Sequence, residues 1–162
     1  MVTQQITDKA KICDSLLDLL IIAYAFGVED VNISTGEDRP VSKEKMNSSV
    51  YKVIDGKTWE DRLKSYDELS QVKILAENEM FRCFSEGQWD CANEIGGLLK
   101  TWHTMCDNRV REAHWYLEGD TVPLDEMFYT LSGDGAYYPR GFGIPELDIG
   151  CRCWITYRKE MW

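Results

Sequence analysis

A chain of 162 residues is long enough for one domain, or one domain with an elaborated arm, and its 44% apolar and 28% charged residues exclude wholesale disorder and fibrous repeats. Against 28 Asp and Glu stand 18 Lys and Arg, a net charge of −10, whose field repels phosphate backbones and anionic membranes. DNA contact is therefore disfavoured unless basic groups concentrate locally. The longest apolar run, Leu19 to Phe26, falls far short of the roughly 20 residues that cross a bilayer, so no membrane span is predicted. No secretory leader pattern is read at the N-terminus, and the six cysteines are expected to be reduced thiols or ligands.

Taken in chain order, Ile12, Leu16, Leu19, Leu20, Ala23 and Phe26 form a helical stripe, with Thr7 predicted as N-cap and Gly27 as the stop. Leu17, Ile21 and Ile22 widen that stripe, so this helix needs burial on more than one side. Its surplus apolar surface serves either the core or a docking partner. Glu29 to Val41 reads as a loop. A second helix is predicted from Ser42, carrying Met46, Val50, Val53 and Ile54 up to Gly56. Thr58 and Asp61 resemble a capping box opening a third helix with Trp59, Leu63 and Tyr66 on its stripe. From Glu68 one long helix carries Val72, Leu75, Ala76, Met80 and Phe84 until Gly96 and Gly97. Leu16, Leu20, Ile74, Leu75 and Phe84 are predicted to pack together.

After Gly97 the period changes to alternation at Leu99 to Thr104, which predicts a strand. Asp107 is predicted to cap a short helix, Asn108 to Leu117, stopped at Gly119, and a final strand is predicted from Ile149 to Tyr157. The fold class is thus α+β: a helical region over 1–97, then a small mixed module over 98–162 with a short helix and antiparallel strands.

Residues two apart in a strand share a face, so Cys151 and Cys153 present two sulfurs on one side. They serve either as packed small hydrophobes or as two ligands of a soft metal, with His114, Asp148, Cys106 and His103 the candidate further ligands. His114 is open between core histidine, general base and ligand. Arg109 is predicted to tie the short helix to the Asp120–Phe128 turn, through carbonyls or Asp125. No G-x-S-x-G, glycine-rich phosphate loop or H-E-x-x-H occurs, so the common hydrolase and nucleotidase classes lose support.

The run KTWHTMCDNRVREAHWYLEGDTVPLDEMFYT from Lys100, followed by AYYPRGFG and GCRCWITYR, resembles the C-terminal module of phage head-morphogenesis proteins, the Mu-F-like minor head family. Asp107, Arg109, Arg111, His114, Gly119, Phe128 and Arg152 carry the likeness. The helical part looks like the region preceding that module in short minor head proteins of Gram-positive phages and prophages. The resemblance implies a minor head structural protein, acting near the portal in head assembly or in DNA packaging and delivery. Its implied partner is the portal or capsid protein of a tailed phage, and its implied place is the virion head, with host cytoplasm during assembly. It implies no catalytic activity. A prophage-encoded host-directed regulator, or a toxin-like effector, is the alternative.

Some members of the family carry a C-x-x-C in the short helix and a His three residues before C-R-C, a zinc-like pattern. Here those positions are Arg111, His114 and Asp148, which leaves His114, Asp148, Cys151 and Cys153 as the implied ligand set, for zinc or for no cofactor. Gly150 stands where many relatives have Asn.

Overall fold

Asp8, not Thr7, caps the first helix: its carboxylate accepts a hydrogen bond from the Lys11 amide at 3.0 Å. Thr7 lies outside the residues that the computed structural model describes, 8–161. Helix α1 (Lys9–Thr35) also runs past Gly27 and ends at Gly36, whose φ of 70° is the left-handed turn that closes a helix. Gly27 has a different job. A Cβ there would sit 2.1 Å from the Phe84 carbonyl oxygen, and one at Gly87 would sit 2.1 Å from that of Tyr24. The two glycines let two long helices touch backbone to backbone. Half of the predicted loop is consequently helix, and Asn32 within it uses its side-chain amide to grip both the N–H and the carbonyl of Arg39, folding the connection back.

Helix α2 (Lys43–Val50) starts at the Ser42 cap as predicted but stops at Val50, so Val53 is exposed and Ile54 pairs with Lys57 in a tight turn. Helix α3 (Trp59–Lys64) opens with the reciprocal Thr58–Asp61 box. Helix α4 (Leu69–Ile95) ends at Gly96, where the sequence placed its end. Leu16, Leu20, Tyr24 and Val31 of α1 bury against Val72, Leu75, Cys83 and Cys91 of α4, with Trp59 and Leu63 sealing one end. Phe84 packs at the margin of this core. Ile74 does not join it: one position, about 100° around the helix, separates it from buried Leu75, and it is 57% exposed.

The second part is built on β1 (Leu98–His103), flanked by β2 (Thr121–Pro123) and β5 (Trp154–Lys159) in the antiparallel order β2-β1-β5. Helix α5 (Glu112–Trp115) lies between β1 and β2. A small hairpin, β3 (Phe128–Tyr129) with β4 (Gly135–Ala136), and helix α6 (Pro145–Asp148) precede β5. The short helix is shorter than its sequence suggests because Asp107 accepts from the Arg109 amide two residues on, forming a turn, and Arg111 becomes the N-cap. The last strand starts later because Ile149 caps α6 and a left-handed Gly150 (φ 73°) breaks the extended run at its expected beginning.

The core crosses the junction at residues 97/98. Strand β5 lies on α1 and α4, where the Gln88 side chain donates to the Ile155 carbonyl at 3.1 Å and Tyr157 is fully enclosed. The α+β class holds, and among the described residues no helix is long and apolar enough to cross a membrane.

Candidate functional site

His114, Cys151 and Cys153 converge. The His114 Nδ1 lies 3.7 Å from each sulfur, and the three donor atoms all lie within 4.8 Å of one another, every residue buried. The cysteines precede the β5 ladder, yet the extended run keeps their alternation, turning both sulfurs inward and Arg152 outward. Helix α5 aims His114 at them, and the ring is fixed between Phe142, stacked at 5.6 Å, and Trp102, edge-on at 5.7 Å. Hydrogen bonding from the Cys153 thiol, helped by His114, holds Cys151 well below the usual thiol range despite burial. The same thiolate and burial push Cys153 up.

For zinc, ligand distances of about 2.0–2.3 Å at tetrahedral angles put donor atoms between roughly 3.5 and 4 Å apart, and the two nitrogen–sulfur distances of 3.7 Å fall in that range. Asp148 does not supply a fourth ligand. Its carboxylate accepts from the amides of Phe142, Gly143 and Ile144 at 3.1, 2.8 and 3.2 Å, which closes the loop ahead of α6, and it lies outside the cluster. The outward Nε2 of His114 is buried without a hydrogen-bond partner, whereas a metal-bound histidine ordinarily donates that proton to an oxygen. Three donors fit a metal and the surrounding shell is incomplete.

The other predicted residues form the frame. Arg111 donates to the carbonyls of Leu147 and Ile149, latching α6 immediately before Cys151. Arg152 makes a two-pronged pair with Asp107 at 2.7 and 2.9 Å, clamping the opposite side of the cysteine run to the loop after β1. The side chain of Arg109 makes no hydrogen bond to the Asp120–Phe128 turn or to Asp125 among the described residues, so the predicted tie is not made, and Arg111 ties the short helix to α6 instead. Gly119 (φ 80°) turns the chain so that its amide donates to the Trp102 carbonyl. Phe128 packs edge-on against Trp102 at 5.2 Å. Gly150 sits in the left-handed region, and its amide donates to Asn78 at 2.9 Å. Asn is the non-glycine side chain that region tolerates best, so the left-handed backbone suits both Gly150 and the Asn that the family resemblance implies there.

Two features escaped the sequence reading, Lys100 and the Arg82 network, while the surplus apolar surface of α1 forms one side of a groove. Lys100 is fully buried, its ammonium 4.9–5.1 Å from the rings of Trp89, Phe128 and Tyr137 and donating to the Tyr137 carbonyl. Arg82 lies buried between Glu79 and Glu86 with Ser49, Arg62 and Lys52 at the margins, binding α2 and α3 to α4. The E-x-x-R-x-x-x-E spacing of Glu79, Arg82 and Glu86 was the available signal. An apolar groove of about 560 Å³ runs between α1 and α4, lined by Leu19, Ile22, Phe26, Phe81, Phe84 and Trp154.

The family described as Phage Mu protein F like protein matches residues 43–156, from α2 into β5. The chain belongs to this family. Two relatives of this Phage Mu protein F like chain are an NAD(+)–arginine ADP-ribosyltransferase of Enterococcus faecalis and the minor head protein GP7 of Bacillus phage SPP1. The first is 40% identical over 63 residues, 38% of this chain and 13% of that protein. The second is 26% identical over 92 residues, 55% of this chain and 30% of that protein. The chain thus covers well under half the length of either. No solved structure matches the chain.

Proposed function

We propose that this Phage Mu protein F like chain is a minor component of a tailed-phage head, docked beside the portal during assembly or DNA packaging and delivery, and that it acts by binding without turnover. The family match carries the reading, supported by the likeness to a minor head protein and by a charge of −10 that opposes unaided DNA binding. The apolar groove is the docking surface, and its occupant is an apolar segment flanked by Lys and Arg on a portal or capsid subunit. Phe26, 64% exposed, and Phe81 open it to solvent, while the exposed carboxylates of Asp18 and Glu77 stand one helical turn from Ile22 and Phe81. Arg152 at the groove's end is already paired with Asp107, so the carboxylates at its rim, unpaired among the described residues, select the basic flanks.

Phage carrying Phe26→Glu should yield heads depleted of this protein by mass spectrometry and fewer infectious particles, while the purified variant keeps its unfolding temperature because the side chain is not core. Wild-type amounts of the variant in purified heads would refute the groove. Absence of the wild-type protein from heads, with normal particle yield after gene deletion, would refute the head assignment and favour a host-directed regulator.

We further propose that His114, Cys151 and Cys153 hold a zinc ion that staples α5 to the segment before β5, with water at the fourth position. Untagged protein purified under reducing conditions should contain zinc near one per chain, and Cys151→Ser should lose it together with several degrees of thermal stability. Zinc far below one per chain identifies a packed thiol cluster.

The transferase relative motivates a second reading, a toxin-like effector, although the shared segment is 13% of that protein. Consumption of NAD by the purified chain, lost on mutation of its own residues, would establish it.

A further inference from the structure

Arg140 stands in the left-handed region at φ 66°, a conformation unfavourable for an L-residue, so the fold holds this position against a local preference. It aims the side chain inward. The guanidinium lies 4.5 Å over the Phe81 ring, and its Nε is sealed from solvent with no acceptor. No described group accepts a hydrogen bond from its terminal nitrogens either. Burial lowers its affinity for the proton, opposed by the nearby Cys151 and Cys153. The terminal nitrogens reach solvent, have no oxygen partner among the described residues, and are open to an arriving anion.

Arg140 faces a cavity of about 380 Å³ between the α3–α4 pair and the loop leading to α6. The remaining cations of the wall are already engaged: Arg62 with Glu79 and the Thr58 carbonyl, Arg82 with Glu79, Glu86 and the Ser49 carbonyl. The wall carboxylate of Asp148 is held by its amides and cannot turn to Arg140 without opening the loop. Much of the rest is apolar, including Ile54, Tyr66, Ile74, Leu75, Pro145 and Ile149.

We propose that this cavity is a binding site for a carboxylate carried on a short apolar stem, with the Arg140 fork taking the two oxygens and the isoleucine-rich wall taking the stem. Two oxygens match a planar fork. A single negative charge is required, because Asp55, Glu79 and Asp148 share the wall and repel a dianion such as a phosphate monoester. The carboxylate comes from a free small acid or from the C-terminus of a partner chain, and the two sources differ in what surrounds the same head group.

The test uses the full chain, labelled for NMR of the Arg140 Nε–H and the isoleucine methyls, titrated with hexanoate, hexanamide, and acetyl-Ala-Ala-Leu with a free or an amidated C-terminus. Saturable shifts at Arg140, Ile74 and Ile149 with hexanoate and not hexanamide support a free acid. Shifts with the free-carboxylate peptide alone support a chain terminus. Arg140→Gln should weaken either ligand about tenfold or more. Should that variant fail to fold, Ile74→Glu, a substitution at an exposed wall position, should abolish binding by adding a like charge. Equal responses to hexanoate and hexanamide, or no response to any carboxylate, overturn the proposal. So does an Arg140→Gln variant that binds normally. If Arg140→Gln instead alters only the alkylation rate of Cys151, with no carboxylate response, Arg140 is the counter-ion of the cysteine pair and the proposal fails.

Discussion

Lys100 shows how a single residue can oppose and serve the core at once. Its ammonium is removed from water, which draws its pKa down to about 8, and no carboxylate hydrogen-bonds to it; three aromatic faces and the Tyr137 carbonyl carry the charge instead. In the unfolded chain the same group titrates near 10.5. Below about 8 both states hold the proton and the native state bears the whole cost of burial. Between about 8 and 10.5 the unfolded state binds more protons, so this residue's contribution makes stability rise with pH. The buried Tyr24 and Tyr157 hydroxyls and the Cys83 thiol work in the opposite direction at high pH, since burial holds their protons. Comparing wild type with Lys100→Met removes those shared terms. Urea denaturation from pH 7 to 10 should show wild type gaining stability relative to Lys100→Met as pH rises through 8; parallel curves would mean that the cage does not depress the lysine.

At the scale of elements, what could be read from sequence was whatever a residue decides with its immediate neighbours. Ser42, the Thr58–Asp61 pair and Gly96 mark helix ends through bonds or dihedrals three or four residues long, and each lies where it was placed. Gly27 looked identical to a helix stop, but its meaning depends on a carbonyl 57 positions away, at Phe84, that approaches only once α1 and α4 cross. The cysteine alternation was legible for the same local reason, and His114 joined it because α5 packs across the run. Asp148 was misjudged because its acceptors' partners are amides of a loop that closes only in three dimensions. The tie predicted for Arg109 is not made because the predicted helix through Arg109 is a turn, and Arg111, at the helix N-cap, latches α6 instead. Ile74 shows the limit of a hydrophobicity pattern: an apolar residue beside the stripe belongs to a cavity wall and not to the core.

The whole molecule is tied across its two parts by more than adjacency. Strand β5 sits on α1 and α4, Trp89 of α4 packs within 5.0 and 5.6 Å of Tyr137 and Tyr138, and Asn78 holds the Gly150 amide beside the His-Cys-Cys cluster. Gln88 joins Asp30 of α1 to the Ile155 carbonyl, and Lys159 pairs with Glu37 at 2.7 Å. Loss of the helical pair would therefore strip one face from the sheet and one wall from the cysteine site. Leu20, fully buried at the α1–α4 contact, is the position to test this. Leu20→Ala should destabilise the protein by about 2–5 kcal/mol through lost burial and a residual cavity. In a cooperative unit, hydrogen exchange at the Trp102 amide in β1 and at core amides of α1 should lose the same protection free energy. Unchanged protection in β1 alongside faster exchange in α1 would instead mean that the sheet module stands without the helices, and that the core crossing residues 97/98 contributes little to either part.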